Sequence, residues 1–250
     1  VPHDHVVDLE WYRSRAYVSC AFAPGWDVTI EFAHDVKDVR ADYVLPDGTH
    51  FDNPFGDVHH RTETLSGLSD VRILFSRHLG SFHVGAGLSF PFGRIEEDPF
   101  ELGRLGIRHQ HIQFGTGTVD PLLHASYGWT SGPWGISVNA SAHVPLYYGP
   151  KGYKAATVLD YSAGPSYVLA DWISLSVQYV GVYQSRAYWG NDVDPNSGYL
   201  LHGIALAVPI RVGTWTIRPM VIRVLDIDVP DGDSFTMDWM FSLTLEKTFD

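Results

Sequence analysis

Lysine is nearly missing from this chain: there are four in 250 residues, Lys37, Lys151, Lys154 and Lys247. Basic residues number 17 against 29 acidic ones, a formal net charge of −12. That balance excludes a phosphate-binding surface built from bulk positive charge, and with it a nucleic-acid partner. Charged residues make up 18% of the chain, below the roughly 25% of an average soluble domain, so something other than a charged solvent face must cover it. The single cysteine, Cys20, leaves no intrachain disulfide framework. No run reaches the length of about 18 consecutive apolar residues, which excludes a spanning helix but not a spanning strand. The opening Val1-Pro2-His3-Asp4 has neither a basic nor an apolar targeting region, and the expectation is a mature chain whose targeting segment has been removed or left out. Without a low-complexity tract or a linker-like break, one domain over 1–250 is expected.

What is present is alternation. Phe235, Met237, Trp239, Phe241, Leu243, Leu245 and Phe249 share one face of the last segment, broken by Lys247, while Ser234, Thr236, Asp238, Ser242, Thr244, Glu246 and Thr248 share the other. Upstream, Ile136 and Val138 alternate with Ser137 and Asn139, and Leu175 and Val177 with Ser174, Ser176 and Gln178. Similar strands are expected near 26–36, 69–79, 81–91, 118–129, 156–169, 200–212 and 214–226. The connections alternate too. Short ones such as Pro24-Gly25, Gly80-Ser81, Ala170-Asp171 and Gly213-Thr214 trade places with long ones rich in Asp, Asn, Gly and Pro near 38–67, 92–117, 147–155, 186–198 and 227–233.

A soluble barrel or sandwich and a membrane barrel share this rhythm. Three features favour the membrane. The strands run to about 10 to 13 residues, twice the usual globular length and the tilted span of a bilayer. Their polar faces carry Ser, Thr, Gly, Asn, Gln, His and Asp with almost no Lys. Trp26, Trp129, Trp134, Trp172 and Trp215, five of the eight tryptophans, lie within three residues of a short turn, as an interfacial girdle requires. The expected fold is therefore all-β, a transmembrane antiparallel up-and-down β-barrel of about 12 strands with short periplasmic turns and long outer loops, in the bacterial outer membrane. Strand parity asks the first 23 residues for two strands, Val6 to Tyr12 and Tyr17 to Ala23.

Gly67-Leu68-Ser69-Asp70-Val71-Arg72 resembles the strand-opening phrase of the phenol meta-degradation family of outer-membrane barrels, and of a neighbouring uncharacterised barrel family. Gly115-Thr116-Gly117-Thr118-Val119-Asp120-Pro121 resembles the glycine-rich start of a later strand in those families, and Leu225-Asp226-Ile227-Asp228 onward to Phe249 resembles their acidic loop and closing strand. The resemblance runs from about Leu68 to the end. It implies an outer-membrane barrel with a transport role and carries over no catalytic residue. The assembly signal of such barrels ends in an aromatic residue, whereas here Asp250 follows Phe249.

Three constellations offer chemistry. Asp120, His124 and Ser126 lie on one strand face, with Ser141 and His143 on its expected neighbour, the residue types of a Ser-His-acid hydrolase. His124-Ala125-Ser126 also resembles the His-x-Ser of outer-membrane lipid A deacylases, with Tyr127 where an Asn often follows. A hydrogen-bonded interior network explains the same residues without catalysis. Among 13 histidines, His3 with His5 and His109 with His111 are spaced to share a face of an extended segment, and His59 and His60 are adjacent. Asp192-Val193-Asp194-Pro195-Asn196 resembles the opening of a calcium loop, but the glycine falls one place late and Gly203 stands at the twelfth position. Asp226, Asp228, Asp231 and Asp233 form an acidic cluster. Loop and lumen histidines without a metal are the expectation for the histidine pairs and solvated turns for the two acidic clusters, and no cofactor or metal is expected.

The third constellation is the lumen: Arg72, His78, His83, Asn139, His143, Asp160, Gln178, Arg218 and Asp238 are expected to line it, with Arg186 and Arg211 also facing inward. The sequence thus supports three readings. The first is a narrow channel or uptake pore for small molecules, with its passage along the small residues Gly203, Ala205 and Ala207. The second is a plugged barrel anchoring protein partners through its long loops, and the third is a lipid or ester hydrolase. In each, outer-membrane lipid and lipopolysaccharide are the surrounding partners.

Overall fold

The computed structural model describes residues 4–52, 62–109, 111–194, 197–229 and 235–249. His3, His59, His60, Asn196, Asp231, Asp233 and Asp250 lie outside them, as does the side chain of His5.

The chain folds almost wholly into strands: β1 Asp4–Ala23, β2 Trp26–Val44, β3 Glu63–Leu68, β4 Val71–Leu79, β5 Phe82–Phe90, β6 Asp120–Ser131, β7 Trp134–His143, β8 Tyr153–Lys154, β9 Val158–Ala170, β10 Ile173–Gln184, β11 Tyr188–Trp189, β12 Asp192–Val193, β13 Tyr199–Ala207, β14 Ile210–Val212, β15 Trp215–Asp228 and β16 Trp239–Lys247, with one short helix, α1 Pro99–Arg104. Thirteen of them form a single antiparallel sheet that follows chain order from β1 to β15, with β16 on β15. β3 and β4 lie end to end along β2, and β13 and β14 along β15, so each pair is one broken strand. Pro209, which has no N–H to donate, sits in the second break.

The first hairpin differs from expectation. Residues 4 to 23 make one strand, with rungs from Asp4 opposite Val44 to Ala23 opposite Trp26. The polar Arg13-Ser14-Arg15 reads as a turn, yet it stays extended because Arg13 forks onto Asp35 of the facing strand. At about 3.3 Å per residue this hairpin is far longer than the nine to eleven residues a tilted strand needs to cross a bilayer, so its outer half projects beyond the membrane.

Along β5, Phe82, Val84 and Leu88 are exposed while His83, Gly85, Gly87 and Ser89 turn inward. On β16, Phe241, Leu243 and Leu245 are 80%, 65% and 59% exposed. A continuous apolar surface on the outside of a sheet with a polar inside is stable only against lipid. All five turn-proximal tryptophans are exposed at the inner rim, where Arg77 stacks on Trp26 and Lys247 on Trp215. The sheet curls until Tyr17 of β1 comes within electrostatic range of Glu246 in β16 and Arg218 in β15. Both β1 and β16 run toward the inner rim, and among the described residues they form no ladder with each other.

At the outer rim the long connections build a structure of their own. β8, β11 and β12 form a three-stranded sheet, and Trp189, 1% exposed, packs with Tyr153, Ala156 and Ala187 against Ile95 and Phe100. Two-residue strands carry no periodic signal, so nothing in the alternation foretells this cap.

Candidate functional site

Two parts of the connection after β5, Gly93 and residues 113–116, meet at the inner face of the barrel wall. Asp70, at the break between β3 and β4, accepts from Gly93 N at 2.9 Å and from Thr116 N and Oγ1 at 2.8 and 2.9 Å. Gly93 allows the two halves of the connection to touch, since a Cβ there would lie 2.6 Å from Gly115 Cα. Phe114 lies over Gly67 on the inner face of β3, and Lys37 donates to the Gln113 carbonyl at 2.7 Å. Lys151 ties the next connection to this one through the Ile95 carbonyl and Glu97. The motifs around Gly67 and Gly115 are thus the two sides of one clamp.

Below the clamp the lumen holds polar networks. Asp120 is fully buried, accepting from Thr118 Oγ1 at 2.6 Å and lying 3.0 Å from His143 Nε2. Arg72 pairs with Glu31 at 3.6 Å, and Asp160 lies within the fields of Arg72, Arg15 and His143 from other strands. Asn139 donates to Ser162 at 3.1 Å, Gln178 to Ser176 at 3.0 Å, and Arg218 faces Glu246 at 3.9 Å. Asp238 departs from the expected lining: it precedes β16 at the outer rim, exposed and held by Arg223 at 2.8 Å. Arg186 likewise belongs to the outer connections, where it donates to the Ser197 carbonyl, and Arg211 is exposed beside the last inner turn.

At the periplasmic end, Asp27, His78 and His83 converge from three adjacent strands. Both Nε2 atoms face Asp27 Oδ1, at 3.0 Å from His78 and 3.5 Å from His83, and the two rings stack with centroids 4.2 Å apart. They form one wall of a cavity of about 490 Å³ that Tyr17, Ser19 and Thr29 also line. Sequence reasoning placed the two histidines in the lumen but missed their convergence. The signal was present: in a hairpin turning at Gly80-Ser81, positions 78 and 83 are directly opposed.

Other groupings do not assemble. Asp120 lies four residues, about 13 Å, along β6 from His124, and among the described residues no hydrogen bond joins His124 to Asp120 or Ser126. His124 instead meets the His83 ring edge-on at 5.6 Å. The rings of His109 and His111 meet edge-on at 5.4 Å, and His109 Nδ1 lies 2.9 Å from the Ile107 carbonyl. Asp192 faces Arg104 at 3.5 Å, whereas Asp194 is buried beside Tyr153, whose phenol is pushed upward by burial and by that carboxylate. Among the described residues the group of three metal-type ligands is Asp27, His78 and His83.

The expected small-residue passage is also corrected. Ala205 is only 2% exposed and Ala207 8%, and the side chains of Val180 and Ile222 close over neighbouring Gly203. A cavity of about 490 Å³ is found on another part of the wall, along β1, β2, β4 and β5.

No family model matches the chain, and no curated protein does. Among solved structures the chain is similar to the COG4313 outer membrane channel from Pseudomonas putida F1, with a TM-score of 0.61, 11% identity, and 97% of this chain and 84% of that one covered. It is also similar to OmpT, an outer membrane protein from Vibrio cholerae in its trimer form, at a TM-score of 0.37 and 10% identity over 88% of each chain. The lipid-facing apolar band, the inner-rim tryptophans and the first of these likenesses make this a bacterial outer-membrane β-barrel.

Proposed function

We propose that this barrel is a narrow channel for small, neutral polar solutes, closed toward the outside by its own loops. The observation that carries this reading is the cavity of about 490 Å³ in the periplasmic half of the lumen, where the hydroxyls of Tyr17, Ser19 and Thr29, two imidazoles and one carboxylate join Ala21, Gly25 and Trp26 in the lining, beneath a connection held at one clamp. The basic groups of the lumen wall have acidic partners: Arg72 faces Glu31, and His78 and His83 face Asp27. The similar solved structure from Pseudomonas putida F1 is an outer membrane channel, and the resemblance of the Gly67 and Gly115 segments to the phenol meta-degradation barrels supports the same reading.

Planar-bilayer conductance tests it. Asp70→Ala removes three hydrogen bonds from the inward connection and should raise conductance several-fold, while adding Thr29→Trp, which points into the cavity, should abolish the gain. The second reading, a plugged barrel that meets protein partners through its loops, is favoured by the packed cap around Trp189. It takes over if neither the wild type nor Asp70→Ala conducts in a correctly folded barrel.

A further inference from the structure

We propose that Asp27, His78 and His83 form a binding site for one divalent transition-metal ion of the zinc class, set in the lumen wall at the periplasmic end. The sheet itself brings the ligands together. His78 and His83 are opposed across the tight β4–β5 turn, and Asp27 faces Ser76 on the neighbouring ladder, which sets it diagonally beside His78 on the same inward face. The backbone locks that register, since the N–H of His78 donates to the Gly25 carbonyl at 2.9 Å and Gly25 holds the preceding turn with φ of 72°.

The ligand atoms are spaced for a small ion. Zinc binds imidazole nitrogen and carboxylate oxygen at about 2.0 to 2.2 Å, so tetrahedral geometry separates ligand atoms by about 3.3 Å. The observed separations from Asp27 Oδ1, 3.0 and 3.5 Å, bracket that figure, and all three ligand atoms lie within 4.8 Å of one another.

Hydrogen bonding alone serves this trio poorly. His83 Nε2 is sealed from solvent and makes no hydrogen bond, an unfavourable state for a buried polar atom. A divalent cation satisfies both lone pairs and the carboxylate at once. The donor set selects the metal class, because imidazole suits zinc, copper and nickel while calcium and magnesium require oxygen. Three protein ligands leave a further coordination position facing the cavity, the arrangement of an accessible rather than a closed structural site. The neighbouring cation, Arg77, sits on the opposite face of β4 against Trp26, and Tyr17 and Thr29 offer only hydroxyls.

Isothermal titration of the full chain, refolded in detergent and stripped with chelator, with zinc chloride as the probe, tests the site independently of any channel activity. One ion per chain is expected. Asp27→Asn, nearly isosteric, and His78→Gln, at an exposed side chain, should each weaken binding at least tenfold, whereas His109→Gln should leave it unchanged. Cobalt(II) should give a tetrahedral visible absorption band in the wild type that Asp27→Asn loses. Folding of each variant is checked by its heat-modifiable gel mobility. Undiminished zinc binding in Asp27→Asn and His78→Gln, or loss only in His109→Gln, overturns the proposal, whether or not the barrel conducts.

Discussion

Arg13 grips Asp35 with two parallel hydrogen bonds, Nε to Oδ1 at 2.7 Å and Nη2 to Oδ2 at 2.9 Å, across the first two strands. Ser69 and the Trp11 indole supply two further donors at 2.6 and 2.9 Å, so the fully buried carboxylate is completely enclosed. Removing one partner leaves a buried charge without its counter-ion, which costs about 3 kcal/mol or more. Losing a single neutral donor costs about 1 kcal/mol. Arg13→Ala should therefore lower unfolding free energy in detergent by about three times as much as Ser69→Ala. Equal losses in denaturant titrations would mean that the fork does not hold the hairpin.

The lipid face is the second test. Val138 is 45% exposed on one side of β7, while the adjacent Asn139 donates to Ser162 on the other. A lipid-soluble thiol reagent should label Val138→Cys and Phe241→Cys in membranes and spare Asn139→Cys. Cys20, exposed on the outward face of β1, gives the background and is replaced by serine in all three. Preferential labelling at position 139 would turn the barrel inside out.

The sequence made such faces readable because a two-sided strand must alternate, and β5 does so without a defect while β16 is broken only at its ends. It failed where a residue's role depends on a distant one. Arg13-Ser14-Arg15 looks like a turn until Asp35, 22 residues on, appears opposite it. The cap around Trp189 rests on strands of two residues, too short for any period. Ala205 and Gly203 promised free space, but the volume beside them belongs to Val180 and Ile222 of the flanking strands. The two histidines of the candidate metal site were legible as an opposed pair from the turn between them. Asp27 was not, because its place beside them depends on the β2–β4 register, which skips a position at Ser69-Asp70.

The last prediction concerns pH at the outer rim. His50 lies beyond β2, with Nε2 3.0 Å from Asp52 and Nδ1 2.6 Å from Asp42. The hydrogen bond to Asp52, followed by that to Asp42, raises the imidazole above its ordinary value of about 6.5. A raised folded value means that the folded loop holds the proton more tightly than the unfolded chain does. The contribution to loop order is thus fully present below about pH 6.5 and is lost as pH climbs through the raised value. The group is fully exposed, so the effect is confined to the 45–52 loop and screened by salt. NMR titration of the His50 ring should give a midpoint above that of a solvent-exposed histidine, and Asp52→Asn should bring it down. In parallel, protease cleavage in this loop should quicken as pH rises through that window in the wild type and show no such dependence in His50→Gln. A midpoint unmoved by Asp52→Asn would show that the aspartates do not hold the proton.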